Sequence, residues 1–229
     1  MPIGVPQVLY EFSDDDYDYD DDYDDDYDAE EEDEDDEWVD VYTRLYQEGV
    51  LFLADEIDSE LSNEIISAML YLNMVDPTQD QYVFINSPGG SILYGMGIYD
   101  TMEFVSADAD VHTICFGVAR SMASLLLVGG VENKRMAFPH AIRVMIHQPA
   151  VSRIVARSKR LLREVEFLKS LKRDIIAEYA ERTGQPLWVI ERDIERDHFM
   201  SAREAKGYGI VDEIVDEFPT LEFDEFDEI

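Results

Sequence analysis

The chain has 229 residues, 46% of them apolar, enough for one sizeable core and too few for two large ones. Its formal charge of −35 argues against unaided binding to nucleic acid, which needs clustered Lys and Arg. A single cysteine, Cys115, excludes an internal disulfide and a cysteine-rich metal site, and no run approaches the roughly 18 to 20 apolar residues of a membrane span.

The opening MPIGVPQVLYEF has neither the pattern of a secretion signal nor the Arg/Ser richness of a transit peptide, so the chain is expected to be used where it is made. Residues 14–37 hold 19 of the 53 acidic side chains and no basic one, leaving 34 acidic against 18 basic elsewhere. Carboxylates at that density repel one another, and SDDDYDYDDDYDDDYDAEEEDEDDE (13–37) is expected to be a disordered, solvated run. LEFDEFDEI at the other end is a shorter tail of the same kind. The expected organisation is an N-terminal segment over 1–38, one α/β domain over 39–217, and an acidic tail over 218–229.

Between the tails, strand-like runs alternate with helical patterns. VLFLA (50–54) and QYVFIN (81–86) read as buried strands around a helix, DSELSNEIISAMLYLNM, with Leu61, Ile65, Met69 and Leu72 on one face. After SPGG (87–90) comes a helix carrying Ile98, Met102 and Val105, then a strand VHTICF (111–116) ended by Gly117. A helix over about Ser121 to Val128 precedes short strands around MAFP and RVMIH. A long helix then runs from about Ser158 to Thr183, with a stripe of Leu161, Val165, Leu168, Ile175 and Tyr179, and stops at Gly184. A stripe that long packs on something, and a second copy of the chain is a candidate. A short helix, PLWVIERDIERD, and a GIVDEIV strand close the domain. Such alternation implies a largely parallel sheet with right-handed crossovers.

Four places can carry chemistry. In GVARSMASLLLVGG (117–130) a serine, Ser121, sits where a strand gives way to a helix, beside unpaired amides that could meet an oxyanion; the same serine could simply cap the helix. INSPGG (85–90) lets the backbone approach a ligand closely, or is an ordinary turn; it is no phosphate loop. His147, where a buried strand surfaces, is placed for a general base or for a structural role. Asp193 and Asp197 in ERDIERDHF could each orient an imidazole, and residue chemistry does not separate them. His112, His140 and His198 lack comparable settings, and the histidine spacing fits no zinc motif.

Taken together these segments resemble the proteolytic subunits of Clp proteases (ClpP), in the version encoded in plastid genomes. The matching stretches are VDVYTRLYQEGVLFLADEID, FINSPGGSILYGMGIYDTMEFV, HTICFGVARSMASLLLVGG, RVMIHQPA and ERDIERDHFMSAREAKGYGIVDEIV, in family order over roughly 39–215. The resemblance implies a ClpP/crotonase-like fold of repeated βαβ units with a long protruding handle helix. It implies a serine endopeptidase with Ser121 as nucleophile, His147 as base and Asp197, rather than Asp193, as the orienting acid. The oxyanion donors would be the amides of Gly90 and Met122, and substrate would lie extended near Pro149 to Ser152. Neither a cofactor nor a metal is implied.

The resemblance also implies two stacked seven-membered rings, homo- or hetero-oligomeric, in the chloroplast stroma. An AAA+ Clp ATPase would dock on an apolar pocket of Tyr82, Phe84, Phe104, Ile114 and Phe116 and feed in unfolded proteins. The chain departs from the family at Arg120, where a small residue is usual, at the basic VSRIVARSKR after HQPA, and by insertions near SADAD (106–110) and Ile142 that would lengthen loops around the triad. Arg120 would either lower the Ser121 pKa or fold across the site. Three other readings compete: a catalytically silent subunit of a mixed Clp ring, a crotonase-type acyl-CoA enzyme, and an acidic binding module. The filled triad positions tell against the first.

Overall fold

The computed structural model describes residues 7–10, 37–140, 143–149 and 158–215. The acidic run over 11–36, the basic stretch over 150–157, Ile142 and the tail from 216 onward lie outside the described residues. The chain divides into two compact units, residues 1–48 and 49–229.

In the first unit, β1 (Gln7–Tyr10) pairs antiparallel with β2 (Glu37–Asp40), Tyr10 opposite Glu37. The acidic run therefore connects two paired strands, which the sequence pattern does not announce. α1 (Val41–Gln47) follows at once because Asp40 caps it, Oδ1 accepting the Tyr42 and Thr43 amides at 3.0 Å.

The second unit alternates strand and helix as expected. β3 (Val50–Leu53), α2 (Ser59–Val75), β4 (Gln81–Ser87), α3 (Ile92–Val105) and β5 (Val111–Arg120) form two crossovers. They are followed by α4 (Met122–Val128), β6 (Arg135–Ala137), β7 (Arg143–Ile146), α5 (Ser158–Thr183), α6 (Leu187–Asp193), β8 (His198–Met200), α7 (Ala202–Tyr208) and β9 (Glu213–Ile214). The sheet runs β3-β4-β5-β6-β9, all parallel; β7 adds in parallel to the far end of β5, and β8 lies antiparallel on β7.

One face of the sheet presents Leu51, Leu53, Val83, Ile85 and Cys115, all fully buried. Burial pushes the Cys115 thiol up to about 11, so it stays an inert apolar group. Ile65, Met69 and Leu72 of α2, and Ile98, Met102 and Val105 of α3, are buried as the helical spacing requires. The α5 stripe is only half covered. Ile175 and Tyr179 are buried, whereas Val165 is exposed, as are its neighbours Leu162 and Phe167.

Two local expectations change. Gly117 does not end β5. A Cβ there would collide with the Asn86 side chain, and Asn86 Oδ1 instead accepts the Val118 amide at 3.0 Å, so the strand passes a register shift and runs on to Arg120. Nor does ERDIERDHF stay helical: α6 ends at Asp193, His198–Met200 pair with β7, and α7 begins behind the capping box of Ser201 and Glu204.

The C-terminal strand is anchored by a buried ion pair. Arg135 donates through Nε (2.8 Å) and Nη2 to Asp212, and through Nη1 to the Arg182 carbonyl at 2.8 Å. Arg135 is 5% exposed. Asp212→Ala would strand that guanidinium, and chemical denaturation should show a loss of about 3 kcal/mol or more.

Candidate active site

The site lies where parallel strands end. The pairing Val118↔Arg143, Ala119↔Val144 and Arg120↔Met145 brings the ends of β5 and β7 level, and the Ser121 amide donates to the Met145 carbonyl at 2.9 Å. Ser121 follows one strand and His147 the other. The antiparallel pairing of His198 with Ile146 then sets Asp197 beside His147. Three segments distant in sequence thus converge through sheet register alone.

Ser121 turns sharply, with φ 55° and ψ −125°, and makes no side-chain cap to α4. Such a backbone costs on the order of 1–3 kcal/mol in a residue with a Cβ. Its hydroxyl is thereby freed for another partner: Oγ lies 2.9 Å from His147 Nε2, and His147 Nδ1 lies 3.2 Å from Asp197 Oδ1. Asp193 is committed elsewhere. Arg192 donates to it through Nε (2.7 Å) and Nη2 (3.1 Å), holding its carboxyl below the usual range, and Tyr208 OH donates at 3.1 Å. Of the two aspartates, Asp197 is the one beside His147.

Gly89 and Gly90 wrap this corner. A Cβ on Gly89 (φ 92°) would stand 2.8 Å from Ser121 Cβ, and one on Gly90 would run into the Ile57 backbone. Ile57 and Gly90 form a parallel bridge, the Ile57 amide donating to the Gly89 carbonyl at 2.9 Å. Ser87, buried, braces the turn by donating to the Asp55 carbonyl at 2.6 Å and accepting the Gly89 amide at 3.1 Å. Gly90 and Met122 line one pocket with Ser121, His147 and Pro149, closed behind by Ile175 and Tyr179 of α5. On the other side, Gln148 clasps the loop that bears Asp197: its amide donates to the Ile194 carbonyl at 2.6 Å, and Lys172 Nζ donates to its Oε1 at 2.8 Å.

Arg120 is not folded across the site. Its guanidinium lies 5.8 Å over the Phe199 ring, and the side chain is absent from the pocket wall. SADAD joins α3 to the start of β5, whereas Ser121 follows the end of that ten-residue strand. The SADAD insertion therefore does not lengthen a loop around the triad.

Of the five apolar residues matched to a docking pocket, Tyr82, Phe84, Ile114 and Phe116 share the second face of the sheet by register. Ile114 and Phe84 are buried and Tyr82 is partly so, while Phe116 and Phe104 of α3 are exposed. Phe84 packs against Phe52 and Phe116 at centroid distances of 5.7 and 6.1 Å. Within one protomer, then, Ile114 and Phe84 are core residues and two of the five are open.

Sequence spacing also hides one cluster. Asp80, Asp110 and His112 bring potential ligand atoms within 4.8 Å of one another. Its members already have partners: His112 Nε2 sits 3.1 Å from Asp80 Oδ2, and Lys134 Nζ 3.2 Å from Asp110 Oδ2.

Residues 32–218 match the Clp protease family. The chain belongs to that family. Proteins named ATP-dependent Clp protease proteolytic subunit from Nicotiana tabacum, Spinacia oleracea and Acorus gramineus are 51%, 50% and 49% identical to it. The matches cover 93%, 93% and 95% of this chain and 97% of each relative. The family is one of serine peptidases, and this member is an α/β chain with a mostly parallel sheet.

Because Arg120 packs away from the pocket, Arg120→Ala should leave the rate of fluorophosphonate labelling at Ser121 within about twofold of the parent. A single-turnover labelling time course checks this.

Proposed function

We propose that this chain is the proteolytic subunit of an ATP-dependent Clp protease and cleaves peptide bonds through an acyl-enzyme. Ser121 is the nucleophile, His147 the general base and then acid, and Asp197 the orienting carboxylate. The observation that carries the reading is the Ser121 Oγ–His147 Nε2 approach of 2.9 Å, with Asp197 on the far nitrogen, at the mouth of a pocket walled by Gly90 and Met122.

In the mechanism, Oγ attacks the scissile carbonyl carbon as its proton passes to Nε2. The carbonyl oxygen takes up the negative charge and faces the Gly90 and Met122 amides, donors already in place. Collapse breaks the C–N bond, and the amine leaves with the proton from Nε2. Water then gives a proton to the same nitrogen and attacks the ester, which restores Ser121. Asp197, accepting from Nδ1–H, holds the imidazole in the tautomer that presents a lone pair to Ser121. Substrate lies extended past Pro149, read through its main chain and so with broad sequence tolerance.

Kinship with subunits so named supports an oligomer that works with a Clp ATPase, since the chain has neither a Walker lysine nor GxGxxG of its own. In the finer reading it forms two stacked seven-membered rings with Clp subunits, cleaves unfolded proteins and works in the plastid stroma. The uncovered Leu162, Val165 and Phe167 on α5 fit a surface that a second subunit covers. The docking residues Tyr82, Phe84, Phe104, Ile114 and Phe116 belong to this finer reading, with Phe104 and Phe116 as the contacts available on one protomer.

The first test is fluorophosphonate labelling of the assembled complex. The parent is expected to label and Ser121→Ala not to; an intact, unlabelled assembly would move the chain to the silent-subunit reading. Asp197→Ala is expected to lower kcat for a peptide substrate by about 10³-fold or more, with assembly preserved.

A further inference from the structure

The hydroxyls of Ser124 and Tyr179 form a buried pair that the acyl-transfer chemistry leaves unused. Ser124, in the first turn of α4, is completely buried, and its Oγ lies 2.7 Å from the Ser121 carbonyl oxygen and 2.9 Å from that of Met145. Tyr179, on α5 and 2% exposed, puts its OH 2.8 Å from Ser124 Oγ and closes the back of the pocket that holds Ser121 and His147.

Counting protons gives the pair a direction. Both carbonyls only accept, so the single Ser124 hydrogen is shared toward them, and the Tyr179 hydroxyl donates to Ser124 Oγ. Burial drives the Tyr179 pKa upward, so the phenol keeps the proton that this requires. The chain of donors runs from α5 through Ser124 to two carbonyls that matter unequally to the fold and alike to the chemistry. One belongs to the nucleophile itself. The other, Met145, also accepts the Ser121 amide and stands two residues before His147.

We infer that Ser124 and Tyr179 are positioning residues: Tyr179 orients the Ser124 hydroxyl, and Ser124 clamps the strained Ser121 backbone to the strand end that delivers His147. The inference rests on Ser121 being the nucleophile and deepens that reading. Each hydroxyl is spent within the fold, Tyr179 on Ser124 Oγ and Ser124 on the two carbonyls. Loosening the clamp changes the angle at which Oγ meets Nε2 and leaves the walls of the pocket in place, so its signature is a fall in kcat at constant KM.

The test uses the full-length chain in its assembled complex, as parent, Tyr179→Phe, Ser124→Ala and the double variant. Peptide hydrolysis, fluorophosphonate labelling rate, assembly and thermal unfolding are measured on each. Tyr179→Phe should lower kcat and labelling rate about tenfold, with KM within about twofold and assembly unchanged. Ser124→Ala should lower them further, and the double variant should fall no lower than Ser124→Ala, because Tyr179 acts through Ser124. Parent-like kcat in Tyr179→Phe overturns the inference. So do losses that multiply in the double variant, or a kcat that falls only in step with assembly and melting temperature. Should Ser124→Ala not assemble, Tyr179→Phe decides alone. An unlabelled parent complex is a different result: it removes Ser121 as nucleophile, and this inference with it.

Discussion

Everything at the site depends on the Met145 carbonyl oxygen accepting the Ser121 amide. That bond extends the parallel pairing of β5 with β7 by one step, and it holds a residue whose backbone sits at φ 55°. A strained turn persists only where its surroundings over-determine it. Here the constraints are the paired strand ends, the glycine backbone pressed against Ser121 Cβ, and the Ser124 hydroxyl on the two carbonyls. The strain has a chemical return: a relaxed helix cap would turn Oγ toward the α4 amides, whereas this turn aims it at an imidazole.

His147 and Asp197 are held by the same economy of register. β8 is only three residues long, yet its antiparallel pairing with β7 fixes where Asp197 stands relative to His147. Gln148 adds a second tie, since its amide is bonded to the Ile194 carbonyl on the loop that leads to Asp197. Asp197 is largely exposed, its side chain 60% accessible, so backbone pairing rather than burial decides its place. In water a carboxylate and an imidazole at 3.2 Å attract only weakly, and the scaffold supplies the order that the charge does not.

Much of this architecture is legible in the residues. The near-continuous apolar runs of β3, β4 and β5 and the 3.6-residue spacing in α2 and α3 announce strand–helix alternation, the pattern of a parallel sheet packed between helices. SMAS, IHQP and ERDHF mark the candidate nucleophile, base and acid, and resemblance to a family orders them. The misreadings arise where tertiary contact overrules local pattern. Gly117 reads as a strand end until the Asn86 side chain is seen to occupy the space of its missing Cβ. β8 goes unread because three residues, HFM, are too few to show a period of two. β1 and β2 escape because a strand pair bracketing an acidic run has no local signal.

By itself, the sequence determined the fold class, the inner faces of the helices and which serine, histidine and aspartates were in contention, since these follow from composition and short-range periodicity. Only the tertiary structure decided that Asp197 reaches His147 while Asp193 is spent on Arg192 and Tyr208. It alone put Arg120 on Phe199, and it alone revealed that the Ser124 and Tyr179 hydroxyls meet behind Ser121. The reason is distance along the chain: His147 and Asp197 are 50 residues apart, Ser124 and Tyr179 55, and contacts of that span are set by sheet register and helix docking, which no local pattern encodes.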